Sequence, residues 1–147
     1  MPKPFQKTCT VHIRPEAFFV FSELRTDYGH VAVVPASRVA RIADSITVGK
    51  AIITALFHSE DVPGEFDLRQ SSIDYKEYLK SVGFRSWTAF EKHAFSIHVT
   101  ETNDWIKLQL WEKQGQAFVP SNYPVVECQP EPSAIGTLIC QIISQEN

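Results

Sequence analysis

Two short segments, TVHI at residues 10–13 and SIHV at residues 96–99, each set a histidine beside β-branched neighbours. A pair of imidazoles can serve as general base and general acid when both reach one substrate atom within hydrogen-bond distance. His93 and His98, in EKHAFSIHVTE, form a second pair beside Glu91 and Glu101. Two histidines with carboxylates are the donor types for a metal ion or for phosphodiester hydrolysis. Their spacing of five, across a change from helix to strand, matches no metal motif. A histidine on the last turn of a short helix, meeting free carbonyls and the helix dipole, accounts for His93 more simply. GxSxG, GK[ST], GxGxxG and HExxH are all absent, and the six glycines stand singly, so no loop cradles phosphate. No catalytic residue, metal site or cofactor is therefore assigned. A small hydrolase or nuclease using His93 and His98 is kept as the alternative.

The elements that must position these residues belong to one domain, residues 1–147. The composition, 44% hydrophobic, 12% aromatic and 21% charged, suits a compact core. A formal charge of −3 provides no positive field for a phosphate backbone. There is no uninterrupted apolar run of membrane-spanning length, and MPKPFQKTCTVHI has no signal-peptide pattern. A cytoplasmic protein is expected, without a membrane partner. Cys9, Cys128 and Cys140 form no CxxC pair, which fits reduced thiols, and Cys140 in IGTLICQII is expected to be buried.

TCTVHIR alternates as a half-buried strand, with Val11 and Ile13 on one face and Thr10, His12 and Arg14 on the other. AFFVFSEL and HVAVVP extend it into a meander, and VARI adds a short extended piece. A helix follows through TVGKAIITALFHS, capped by Asp44 or Ser45, with a stripe of Val48, Ile52, Ile53, Leu56 and Phe57. EDVPGEFDLRQSS, carrying Pro63 and Gly64, reads as an exposed acidic loop. IDYKEYLKSV and SWTAFEKHA, the latter capped by Ser86, are connecting helices at about residues 72–94. SIHVT, WIKLQLW and QAFVP then repeat the meander before a terminal helix.

This order of signals suggests an internal repeat of residues 8–59 in 94–145. His12 aligns with His98, Gly29 with Gly115, and Gly49 with Gly136. On that reading the two histidines are equivalent strand positions, and their echo needs no chemistry. The fold expected is α+β: an antiparallel-rich sheet with flanking helices, in two meander-plus-helix halves.

Trp87, Trp105 and Trp111, with Phe84 and Phe90, could stack bases, which leaves an RNA-binding accessory domain as a third reading. Few basic residues lie near them, so core or protein-contact roles are favoured and no direct nucleic-acid contact is expected.

LKSVGFRSWTAFEKHAFSIHV and FVPSNYPVVECQPEPSAIGTLICQII resemble the CdiI family of contact-dependent growth inhibition immunity proteins. The matching positions are Gly83, Ser86, Trp87 and Phe90, then Phe118, Val119, Pro120, Ser133, Ile135 and Gly136. The resemblance implies a non-enzymatic antidote that binds the C-terminal domain of a cognate toxin, often a ribonuclease with a basic cleft. No toxin-contact residue carries over. Charge complementarity instead selects Glu60, Asp61, Glu65 and Asp67 as the expected partner-binding surface, and Glu101, Asp104 and Trp105 as the next. A homodimer is compatible with the sequence.

Overall fold

The computed structural model describes residues 6–62, 64, 66–92, 94–115 and 117–146, without the side chains of residues 145 and 146. Four strands come first: β1 (Lys7–Ile13), β2 (Ala17–Thr26), β3 (Gly29–Ala32) and β4 (Ser37–Ala40). Helix α1 (Ser45–Phe57) and the two-residue strand β5 (Glu60–Asp61) follow, then α2 (Leu68–Ser81) and α3 (Trp87–Glu91). The second half adds β6 (Phe95–Thr102), β7 (Trp105–Gln114), β8 (Ala117–Pro120), β9 (Val126–Cys128) and α4 (Pro132–Glu146).

The strands form one sheet in the order β3-β2-β1-β6-β7-β8, with antiparallel neighbours along that path. β2 pairs β4 over residues 17–20 and β3 over residues 23–26; β7 pairs β9 over residues 106–108 and β8 over residues 111–114. The α+β class and the antiparallel sheet agree with the sequence expectation. β1–β4 with α1 and β6–β9 with α4 follow the same order of elements on either side of the central β1–β6 pair, while the internal repeat of residues 8–59 in 94–145 stays an expectation of the sequence.

Alternation along the strands sends Cys9, Val11 and Ile13, with Ile97, Val99, Ile106, Leu108 and Leu110, into a core beneath α1 and α4. Asp44 caps α1 by accepting from the Thr47 amide at 2.9 Å, and Val48, Ile52 and Leu56 form its buried stripe. Phe57, expected in that stripe, is 72% exposed, because α1 ends there and the chain turns away through His58. The two helices meet at Gly49 and Gly136. A Cβ at Gly49 would lie 2.0 Å from the Pro132 carbonyl oxygen, and one at Gly136 the same distance from the Ser45 carbonyl oxygen. Only glycine permits so close a backbone approach. Cys140 is exposed rather than buried: α4 turns Ile135, Ile139, Ile142 and Ile143 to the core and the thiol to the opposite side.

On the other face, α2 and α3 cover Ala17, Phe19 and Phe21 with Leu79 and Phe90. Ser86 caps α3 and Gly83, at φ +93°, follows the end of α2 as expected. However, α2 starts at Leu68 rather than near Ile73, because Asp67 caps it and draws the last residues of the expected acidic loop into its first turns. Part of the expected acidic loop is regular structure, since β5 adds to the sheet beside Leu24 and Arg25 of β2.

Candidate functional site: the open half of the sheet

The face turned away from α1 and α4 collects Thr8, Thr10 and His12 from β1 with Phe19, Phe21 and Glu23 from β2. Across the central pair, β6 contributes Ser96, His98 and Thr100, and β7 contributes Gln109 and Trp111. The helices α2 and α3 cover one end of this face. The other end is open.

His12 marks the covered end. Its ring centroid lies 5.5 Å from those of Phe21 and Phe90, 5.7 Å from Phe118 and 6.1 Å from Trp87. The expectation that His12 is half-exposed is therefore corrected, because α3 folds over this strand position and seals it. Burial first, and then the neighbouring His98 and Lys113, push its pKa from 6.5 down to about 3. Opposite His12 stands Ser96, and opposite Ser96 stands Trp111. The buried His12 Nδ1, Ser96 Oγ and Trp111 Nε1 have no hydrogen-bond partner among the described residues.

At the open end, His98 stacks on Trp111 with centroids 4.3 Å apart and planes 12° from parallel. Beside the stack lies a pocket of about 300 Å³. Its lining includes Thr8, Glu23, His30, His98, Thr100 and Trp111. Glu23 accepts a hydrogen bond from the Thr10 hydroxyl at 2.9 Å, and the Thr8 hydroxyl lies 3.1 Å from His30 Nδ1. Burial pushes the His98 pKa down; Glu23 opposes this and His30 adds to it. Among the described residues neither lysine nor arginine lines the pocket, and Glu23 is its one carboxylate.

The two surfaces expected to meet a partner flank this open end. On one side, Asp61 is hydrogen-bonded to Arg25, which holds the carboxyl below its usual range. Glu60 is exposed beside it. Asp67 is occupied in capping α2, accepting from the Gln70 amide at 3.0 Å, and Glu65 lies outside the described residues. On the other side, Glu101 pairs with Lys7 in register, Asp104 turns the chain at φ +66°, and Trp105 is 48% exposed. Gln6 reaches across by donating to the Thr102 hydroxyl at 3.1 Å.

His93 also lies outside the described residues. Among those described, no group of three or more His, Cys, Asp or Glu side chains could hold a metal ion, and no helix is long and apolar enough to cross a membrane. Sequence reasoning missed Glu23 and His30. The available signal was SEL at the end of AFFVFSEL, where alternation puts Glu23 on the same face as Phe19 and Phe21.

No family model and no curated protein matches the sequence. Solved structures do match the fold. A protein of unknown function from Neisseria meningitidis is similar over 99% of this chain and 98% of its own, with a TM-score of 0.81 and 14% identity. A chain of the CdiA-CT/CdiI toxin and immunity complex from Yersinia pseudotuberculosis is similar over 96% of this chain and 97% of its own. Its TM-score is 0.79 and its identity 14%.

Proposed function

We propose that this chain is an immunity protein of the contact-dependent growth inhibition type, which binds a cognate toxin domain in the cytoplasm and neutralises it stoichiometrically. The observation that carries this reading is the whole-length likeness of fold to a chain of a toxin and immunity complex. A sheet with one face filled by helices and half of the other left open gives such a protein a rigid surface for a partner. The toxin is read as a basic, nuclease-like domain. The acidic groups Glu60, Asp61, Glu65 and Asp67, and as the next surface Glu101 and Asp104 with Trp105, suit that charge.

The test is co-expression with the toxin domain encoded by the adjoining gene. A stable complex, with growth restored to cells making the toxin, is the expected result. A folded chain that neither binds nor protects would end this reading.

The pocket at His98 gives the hydrolase alternative one specific observation, since it holds two imidazoles and a carboxylate. Among the described residues its lining lacks the lysine or arginine that would hold a phosphate, which weighs against a nuclease. Turnover of RNA by the purified chain, abolished by His98→Ala, would restore that alternative.

A further inference from the structure

His98, Trp111 and Glu23 lie outside both buried hydrophobic clusters. We propose that the His98–Trp111 pocket is a receptor for a guanidinium group, taken from an arginine side chain of the partner protein; as a docking site it rests on the immunity reading.

Its chemistry is that of an acceptor. Among the described residues Glu23 receives only the Thr10 hydroxyl, at 2.9 Å, which leaves carboxylate lone pairs for further donors. The hydroxyls of Thr8 and Thr100 add neutral acceptors on neighbouring strands, placed opposite one another by the register. With no lysine or arginine in the lining among the described residues, no fixed cation neutralises the carboxylate from within the pocket, and an anionic ligand would meet repulsion. The stacked His98 and Trp111 rings both line the pocket, and an aromatic lining suits a planar guanidinium better than a compact ammonium. Five donors in a fixed fork can reach several acceptors at once, whereas a lysine presents three on one atom. The volume, about 300 Å³, admits one long side chain and no folded segment. Charge complementarity thus selects a basic protein surface over a nucleic acid or an acidic peptide. The flanking Trp105 and the Arg25–Asp61 pair would form the rim.

The direct probe is N-acetyl-arginine methylamide, titrated into the full chain at neutral pH while the imidazole resonances of His30 and His98 and the indole N–H of Trp111 are followed. Saturable shifts with a millimolar dissociation constant are expected, that being the scale for one charged group in an open pocket. Glu23→Gln keeps an acceptor for Thr10 and removes the charge, so it should weaken the probe tenfold or more. The citrulline analogue should not saturate, and the lysine analogue should bind more weakly than arginine. The proposal is overturned by a probe that leaves these resonances unmoved, by a citrulline analogue that binds equally, or by a Glu23→Gln chain of parental affinity. A second arm uses the toxin domain encoded by the adjoining gene. If a complex forms and Glu23→Gln binds at least tenfold more weakly, the pocket is part of the interface. A complex indifferent to Glu23→Gln would overturn the docking role and leave the immunity function standing. Failure of any complex to form would instead overturn the immunity function, and with it the docking role, while the small-molecule arm still decides whether the pocket takes a guanidinium.

Discussion

Replacing Gly49 or Gly136 by alanine tests the helix crossing on which the covered face depends. At either site the new methyl would lie 2.0 Å from a carbonyl oxygen of the facing helix, about 1 Å inside the shortest contact such atoms make. Both obstacles are backbone, so no side chain can swing aside, and α1 and α4 must part. Separation by that amount loosens Val48, Ile52, Ile135 and Ile139, all essentially inaccessible to water. A gap of that size forfeits roughly a quarter to a half of each dispersion contact it opens. Overpacking of this kind costs ~1–3 kcal/mol, and here belongs at or above the upper end. Alanine's better helix propensity returns ~1 kcal/mol. The net expectation is a loss of ~2 kcal/mol for each substitution, a fall in Tm of about 6 °C at this chain length. The double variant should lose less than the sum, by ~0.5 kcal/mol or more, because one parting of the helices accommodates both methyls. Urea and thermal denaturation followed by circular dichroism supply the cycle. Single variants within 1 °C or so of the parent, or strictly additive losses, would refute a shared crossing.

Stability should depend on pH through His12, which the fold keeps neutral with a pKa of about 3 against an ordinary 6.5. The unfolded chain takes up the proton first, so this contribution is complete above about pH 6.5 and is lost as pH falls towards 3, by up to ~1.4 kcal/mol per unit. A urea midpoint level between pH 7 and 4.5, or an unchanged slope in His12→Phe, would contradict this. Phe90, fully buried, should cost ~3–5 kcal/mol when cut to alanine and more than Trp87→Ala, since Trp87 only packs against that cluster; urea titrations giving the reverse order would count against it. Asp67→Ala should cost ~1 kcal/mol through loss of the α2 cap, whereas the exposed Glu60→Lys should change stability by less than ~0.5 kcal/mol. Glu60→Lys with Glu65→Lys should slow toxin association by ~10-fold or more at low salt, and an unaltered rate by stopped-flow would remove that loop from the interface.

The secondary elements were legible because their signals are local. Alternation in TVHI, the Asp44 and Ser86 caps and the glycines after helix ends each act within a few residues, and the structure follows them. What escaped was set by tertiary contacts. Nothing in IDYKEYLKSV or SWTAFEKHA states that these helices cross β1 and β2, so the burial of His12 could not be read from its strand. The same holds for the site. Glu23 and His30 share the β2–β3 hairpin, but His98 is far away in the chain and meets them only because β3, β2, β1 and β6 stand side by side. The acidic segment was conspicuous as a run of charge, yet Asp61 and Asp67 each have a local partner that composition does not reveal.

The fate of the two histidines shows how the sheet acquires one open site. In the central strand pair, His12 stands opposite Ser96 while His98 stands opposite Thr10, the reciprocal placement that a two-fold arrangement of β1 and β6 requires. On the helix side this reciprocity is kept, with Gly49 against Pro132 and Gly136 against Ser45. The opposite face breaks it, because α2 and α3 occur once, between the halves, and can cover only one end. Over His12 they place Phe90 and Trp87, so that imidazole is desolvated and neutral. Over His98 they place nothing, and its ring stays beside a pocket with Trp111 as its wall. The two histidine positions thus differ through a single added layer, one becoming buried and the other lining an open pocket. Deleting the cover at Phe90 should therefore raise the pKa of His12 and leave the stacked resonances of His98 nearly unmoved, a difference that titration by NMR of Phe90→Leu would measure. Equal shifts at both rings would show that the two ends of the face are not independent.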